Sequence, residues 1–166
     1  MTDTPSSASN SSAQIAQDLP RLIERMHRRY LDVVRIELVR RGFIDISPVQ
    51  AVMLGTIGGE DISVRDLIER GYYLGSNASY NLKSLVDGGY VLRQASVRDR
   101  RSARLSLSPK GREILGLLAK LNLQMSDSLI QNEGSELDMT ARTLRHLERR
   151  WTEAIRAENH GDDQGF

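Results

Sequence analysis

Two groups of side chains have the types and the spacing to hold a polyanion. Ser76, Asn77, Ser79, Tyr80, Lys83 and Ser84 fall on the side of a helical stretch that Leu82, Leu85 and Val86 leave free. Asn77, near the start of that stretch, can reach base edges in a groove. Ser76, Ser79 and Tyr80 can donate to phosphates or bases, and Lys83 adds charge one turn later. In the second group Arg98, Arg100 and Arg101 surround Asp99, with Arg93 and Arg104 on the flanking runs. Cations crowded into one short segment repel each other unless a polyanion is near. The plainer readings are a solvated polar helix face and an exposed charged turn. The polar face alone does not choose between them; the order of the elements around it does.

Those elements can be read from periodicity and punctuation. Residues 1–14 are mostly Ser, Thr, Asn and Ala and are expected to be a flexible arm, since they bury too little to offset their ordering entropy. From Ile15 the apolar residues Leu19, Leu22, Met26, Tyr30, Val33 and Val34 recur at three and four, predicting a long first helix that stops near Gly42. Ser47-Pro48 sets a capping residue before a proline suited to the first turn, and Val49, Val52, Met53 and Ile57 form the stripe of a second helix ended by Gly58-Gly59. Ser63 with Asp66 resembles a capping box opening a third helix of about two turns, with Val64, Leu67 and Ile68 inward and Gly71 at its end. A fourth helix begins near Ser76 and ends at Gly88-Gly89. Two helices joined by a tight glycine-containing turn make a helix-turn-helix.

Beyond Gly89 the period shifts to two: 90–93 and 103–107 read as short strands around the polar, basic segment 94–102, a β-hairpin with a charged tip. Ser108-Pro109 repeats the cap-plus-proline signal and opens a fifth helix carrying Ile114, Leu118, Leu121, Met125 and Leu129. Asn132 to Ser135 is expected to break it, and a sixth helix carries Leu137, Leu144, Leu147, Trp151 and Ile155. The fold expected is therefore mainly α with a small β-hairpin wing: a winged helix-turn-helix at 47–111, an N-terminal helix at 15–46, C-terminal helices at 112–159 and a flexible tail at 160–166.

Composition narrows the function classes. The 166 residues include no cysteine, so disulfides, thiolate zinc sites and thiol redox sensing are excluded. No run approaches the roughly 18 apolar residues that cross a bilayer, and the N-terminus lacks the pattern of a secretion signal, which implies a soluble, cytoplasmic protein without a membrane partner. The net charge is only +1, but from Ser63 to Arg112 ten cations against four carboxylates leave +6. One surface can thus meet phosphates while the rest serves another purpose. His27, His146 and His160 have no ligand spacing, and no phosphate loop or His-Glu metal motif is present, so neither an enzyme nor a cofactor is expected.

The order of elements and the run Asp99-Arg100-Arg101-Ser102-Ala103-Arg104-Leu105-Ser106-Leu107-Ser108-Pro109-Lys110-Gly111 resemble the MarR family of transcription regulators. Ser108 stands where the family carries Thr, and Ser caps a helix comparably. The resemblance implies binding of double-stranded DNA, with Asp99 orienting an arginine, Arg101, into the minor groove while its neighbours hold phosphate. It also implies a homodimer on a pseudo-palindromic operator, the first, fifth and sixth helices pairing through residues such as Leu117, Leu121, Leu144, Leu147 and Trp151. An intramolecular core made by part of the same set is the competing reading. A small aromatic or phenolic effector is implied between the dimer helices and the DNA lobe. Met26, His27 and Tyr30 are candidates for it, with Arg21 as a carboxylate partner, though Met26 and Tyr30 fit a core stripe equally well.

The tract 71–82 is more aromatic and glycine-rich than the usual family turn and resembles an alphaproteobacterial subgroup, some of whose members regulate cell-envelope genes. For Tyr72 and Tyr73, packing the turn, touching phosphate and lining a pocket all stay open. The rival function is a winged helix used for protein contact. It calls for an apolar recognition face and weak salt dependence, and the residues here are polar and arginine-rich. RNA is disfavoured because an A-form major groove does not admit a helix.

Overall fold

The computed structural model describes residues 7–71, 75–95 and 103–161. In chain order the elements are α1 (Ser7–Arg40), α2 (Pro48–Ile57), β1 (Ile62–Ser63), α3 (Val64–Gly71), α4 (Gly75–Asp87), β2 (Val91–Ala95), β3 (Ala103–Leu107) and α5 (Pro109–Gly161). They fall into two compact units, residues 1–119 and 120–166. No helix among the described residues is long and apolar enough to cross a membrane.

Local signals set most of the helix ends in the first unit. α1 closes where Gly42 takes φ 84°, its N–H donating to the Val39 carbonyl while Phe43 N–H reaches back to Leu38. Ser47 caps α2 in a reciprocal box: its hydroxyl accepts from Gln50 N–H, and the Gln50 side chain accepts from Ser47 N–H. Ser63 and Asp66 do the same for α3, each backbone N–H donating to the other's side chain at 3.0 Å. Ser108 Oγ accepts from Gly111 N–H at 3.0 Å and opens α5.

The core of this unit gathers one side of every element: Val34 and Leu38 of α1, Ala51, Met53, Leu54 and Ile57 of α2, Leu67 of α3, Ala78, Leu82 and Leu85 of α4, and Ile114 and Leu118 of α5. Ile62, Val91, Leu105 and Leu107 close it from the sheet. Each large apolar side chain taken out of water contributes about 1.5–3 kcal/mol before entropy is counted. The expected α2 stripe is revised here. Val49 is exposed and Val52 half-buried, whereas Ala51 and Leu54 are fully buried. α2 is apolar nearly all round and touches α1, α3, α4 and β3, so its neighbours rather than its periodicity choose the inner face.

Three further expectations are corrected. Residues 7–14 are the first turns of α1 instead of a flexible arm, because extending an existing helix adds one hydrogen bond per residue without a new nucleation cost. The hairpin gains a third strand: β1 pairs antiparallel with β3 to give the order β1-β3-β2. With two residues, β1 is too short to show alternation in the sequence. Finally, α5 runs unbroken through 132–135 to Gly161, so the fifth and sixth helices are one, and His160 and Gly161 belong to it and not to a tail. A lone glycine costs a helix about 1 kcal/mol relative to alanine, too little to end one flanked by good helix formers. Within 120–166 the helix leaves Leu123, Met125, Leu129, Ile130, Met139, Leu144, Trp151 and Ile155 exposed.

Candidate nucleic-acid interface

α4 is held by Ala78, Leu82 and Leu85, all buried, so the opposite side of the helix is turned to solvent. Ser76, Asn77, Ser79, Tyr80 and Lys83 are exposed, and Tyr80 is 71% accessible, an unusual placement for an aromatic ring. Ser84 is half-buried, its position shifted toward the core side. Helical spacing sets Ser76, Tyr80, Lys83 and Asp87 in one row along the outer face. Asp87 joins the site only through this row, a member that the 76, 80, 83, 87 spacing marks in the sequence.

Asp87 changes what Lys83 can do. Lys83 Nζ lies 2.5 Å from Asp87 Oδ2, and that bond, with the attraction of the carboxylate, raises the lysine pKa. The cation is fixed in charge and tied along the helix. A groove-facing role requires it to exchange the Asp87 carboxylate for a phosphate. Further along the face, the Asn81 amide donates to the Asn77 carbonyl at 3.0 Å, leaving the Asn77 side chain at the exposed start of the helix.

At the wing, the described residues include Arg93 and Arg104; Arg98, Asp99, Arg100 and Arg101 lie outside them, as do Tyr72 and Tyr73. Arg93 on β2 stands opposite Leu105, and Arg104 on β3 stands opposite Gln94 on one side and Ser63 on the other. Both side chains are exposed. Arg104 also donates to the Asp61 carbonyl at 2.8 Å, and its charge reaches Asp66, whose pKa is lowered first by the two Ser63 hydrogen bonds and then by Arg70 and Arg104. Arg104 is thus attached to the loop before β1.

The four effector candidates are spread around α1. Met26 and Tyr30 are one turn apart, but at 100° per residue Arg21 lies about 140° around the helix from Met26 and His27 about 100° on the other side of it. Arg21, Met26 and His27 are exposed and Tyr30 is half-buried. The helix by itself does not converge these four on one site.

Comparison with known proteins gives three findings. Residues 44–102 match the sequence profile of the MarR family. The chain is 43% identical over 141 residues to the exopolysaccharide II synthesis transcriptional activator ExpG of Rhizobium meliloti, covering 84% of this chain and 73% of that protein. Among solved structures it shares its fold with Streptococcus pneumoniae FabT in complex with DNA, at TM-score 0.67 and 24% identity over 84% of this chain and 99% of that one. It also shares the fold of a mutant MarR from E. coli complexed with operator DNA, at TM-score 0.65 and 20% identity over 78% of this chain and 92% of that one.

Proposed function

Because the chain belongs to the MarR family of DNA-binding, non-enzymatic transcription regulators, we propose that it binds a pseudo-palindromic operator as a homodimer, with α4 in the major groove and the hairpin against the minor groove. The observation that carries this reading is the α4 face itself. Buried Ala78, Leu82 and Leu85 leave Ser76, Asn77, Ser79, Tyr80 and Lys83 turned outward together. That set offers hydroxyls, an amide, an aromatic ring and one cation, which suits base edges and phosphates and not an apolar protein groove.

The dimer reading is supported by the apolar side chains that α5 leaves uncovered between Leu123 and Ile155, which a second copy of the chain would bury. Two-fold pairing would set two recognition helices about one turn of DNA apart. Modulation by a small aromatic or phenolic effector belongs to the same proposal, with Arg21, Met26, His27 and Tyr30 the first residues to vary. The likeness to ExpG supports an output on polysaccharide-synthesis genes, by activation.

The test is selection from a random pool of short duplex DNA, comparing the wild-type chain with an Arg100→Ala, Arg101→Ala double variant. Enrichment of an inverted repeat by the wild type, weakened in the variant, is the expected outcome. Equal, sequence-blind binding by both would sink the operator reading and favour a protein-contacting winged helix.

A further inference from the structure

Three side chains distant in sequence meet just past the C-terminal end of α4. The Tyr90 hydroxyl donates to Asp45 Oδ1 at 2.6 Å, and Lys110 Nζ donates to Asp45 Oδ2 at 2.7 Å. The Lys110 ammonium lies 4.0 Å from the centre of the Tyr90 ring and donates also to the Gly88 carbonyl at 3.2 Å. Ser108 Oγ donates to the next carbonyl, that of Gly89, at 2.6 Å, and Ser108 N–H to the carbonyl of Tyr90 at 3.0 Å.

The consequence for α4 is specific. A helix ends with carbonyls that have no partner within it. Here the carbonyls just past the end of α4 are taken by side chains from the start of α5, and the lysine that takes one of them is aimed by Asp45 from the connection between α1 and α2. Ring and carboxylate hold that lysine on two sides. The same carboxylate fixes the Tyr90 ring, which is otherwise buried, by its only polar atom. Gly111 lets the two backbones close: a Cβ there would overlap the Tyr90 carbonyl oxygen.

We infer that Asp45, acting through Tyr90 and Lys110, is a positioning residue that sets the angle at which α4 is presented to DNA. The inference rests on the DNA reading above and adds to it a residue that touches no base. Exposed ion pairs stabilise a fold little, so Asp45 contributes mainly by geometry. A recognition site tolerates about 0.5 Å of misplacement before its contacts fail.

Charge separates this role from a simple electrostatic one. Removing a carboxylate from a DNA-binding protein strengthens its attraction to any duplex. Loss of positioning instead weakens only the duplex whose bases are read. The experiment compares Asp45→Asn, Tyr90→Phe and, as a charge control within α1, Asp32→Asn, measuring binding to the duplex enriched by the wild type and to a scrambled duplex of equal length. Circular dichroism and thermal unfolding monitor the fold of each.

The expected result is that Asp45→Asn and Tyr90→Phe bind the enriched duplex roughly tenfold more weakly and the scrambled duplex as well as or better than wild type, while remaining folded. Asp32→Asn keeps the wild-type ratio between the two. If both variants keep the wild-type ratio, or lose both duplexes together as the fold is lost, the positioning role is overturned and the operator reading stands. If the wild type enriches no duplex, the operator reading falls and the positioning role falls with it.

Discussion

Arg93 and Arg104 stand on opposite faces of one hairpin, Arg93 opposite Leu105 and Arg104 opposite Gln94. Directly opposed residues in an antiparallel pair share a face, and successive residues alternate. Two arginines that read as one basic cluster in the sequence therefore leave the sheet from opposite faces. Arg104 is also bonded to the Asp61 carbonyl at the other edge of the sheet.

The two arginines should accordingly fail differently. Arg93→Ala is expected to lower the salt slope of DNA binding by about 1 per protomer, as loss of one phosphate contact does. Arg104→Ala is expected to leave that slope near the wild-type value, to lower the thermal unfolding midpoint and to weaken binding by loosening the β1–β3 edge. Equal slope changes in both variants would show that Arg104 meets phosphate after all.

Lys83 and Asp87 form an exposed pair on the outward row of α4. Exposed pairs of this kind contribute little to stability, so Asp87→Asn should barely move it. It should tighten binding to a random duplex severalfold, because the lysine is released and a negative charge is removed from the groove face. Binding titrations at two salt concentrations check this, and weaker binding would mean that the Asp87 carboxylate itself accepts from a base.

Gly111 is expected to tolerate no side chain. Gly111→Ala drives a methyl group into the Tyr90 carbonyl, a backbone atom that cannot swing away. Overpacking of this kind costs about 1–3 kcal/mol or more, and urea unfolding should show the midpoint reduced with an unchanged slope. A wild-type midpoint would mean that the start of α5 shifts freely.

Asp66 has a folded pKa below its ordinary value because of hydrogen bonding to its carboxylate, first with the Ser63 side chain and then from the Ser63 backbone N–H. A depressed folded pKa adds stability that is present above the unfolded value, about pH 4, and is lost as pH falls through the folded one. Asp45, lowered by Lys110 and then by Tyr90, acts with the same sign. The unfolding midpoint should be nearly flat across neutral pH and drop in acid, and Asp66→Asn should be less stable at neutral pH but less sensitive to acid. An Asp66→Asn variant with the wild-type acid profile would remove Asp66 from this account.

Much of this molecule was written in short-range signals. Ser47-Pro48, Ser63 with Asp66 and Ser108-Pro109 each mark a helix start, since a cap is satisfied within one turn of its own residue. The polar row on α4 was legible for the same reason: the spacing of Leu82 and Leu85 fixes where Ser76, Tyr80 and Lys83 must point. Tertiary structure decided the rest. β1 exists because β3 is there to pair with it, and α2 buries Leu54 in place of Val49 because of what surrounds it. Asp45, Tyr90 and Lys110 are 45 and 65 positions from their partners, a separation at which no local pattern operates and only the packing of the elements brings the groups within bonding distance.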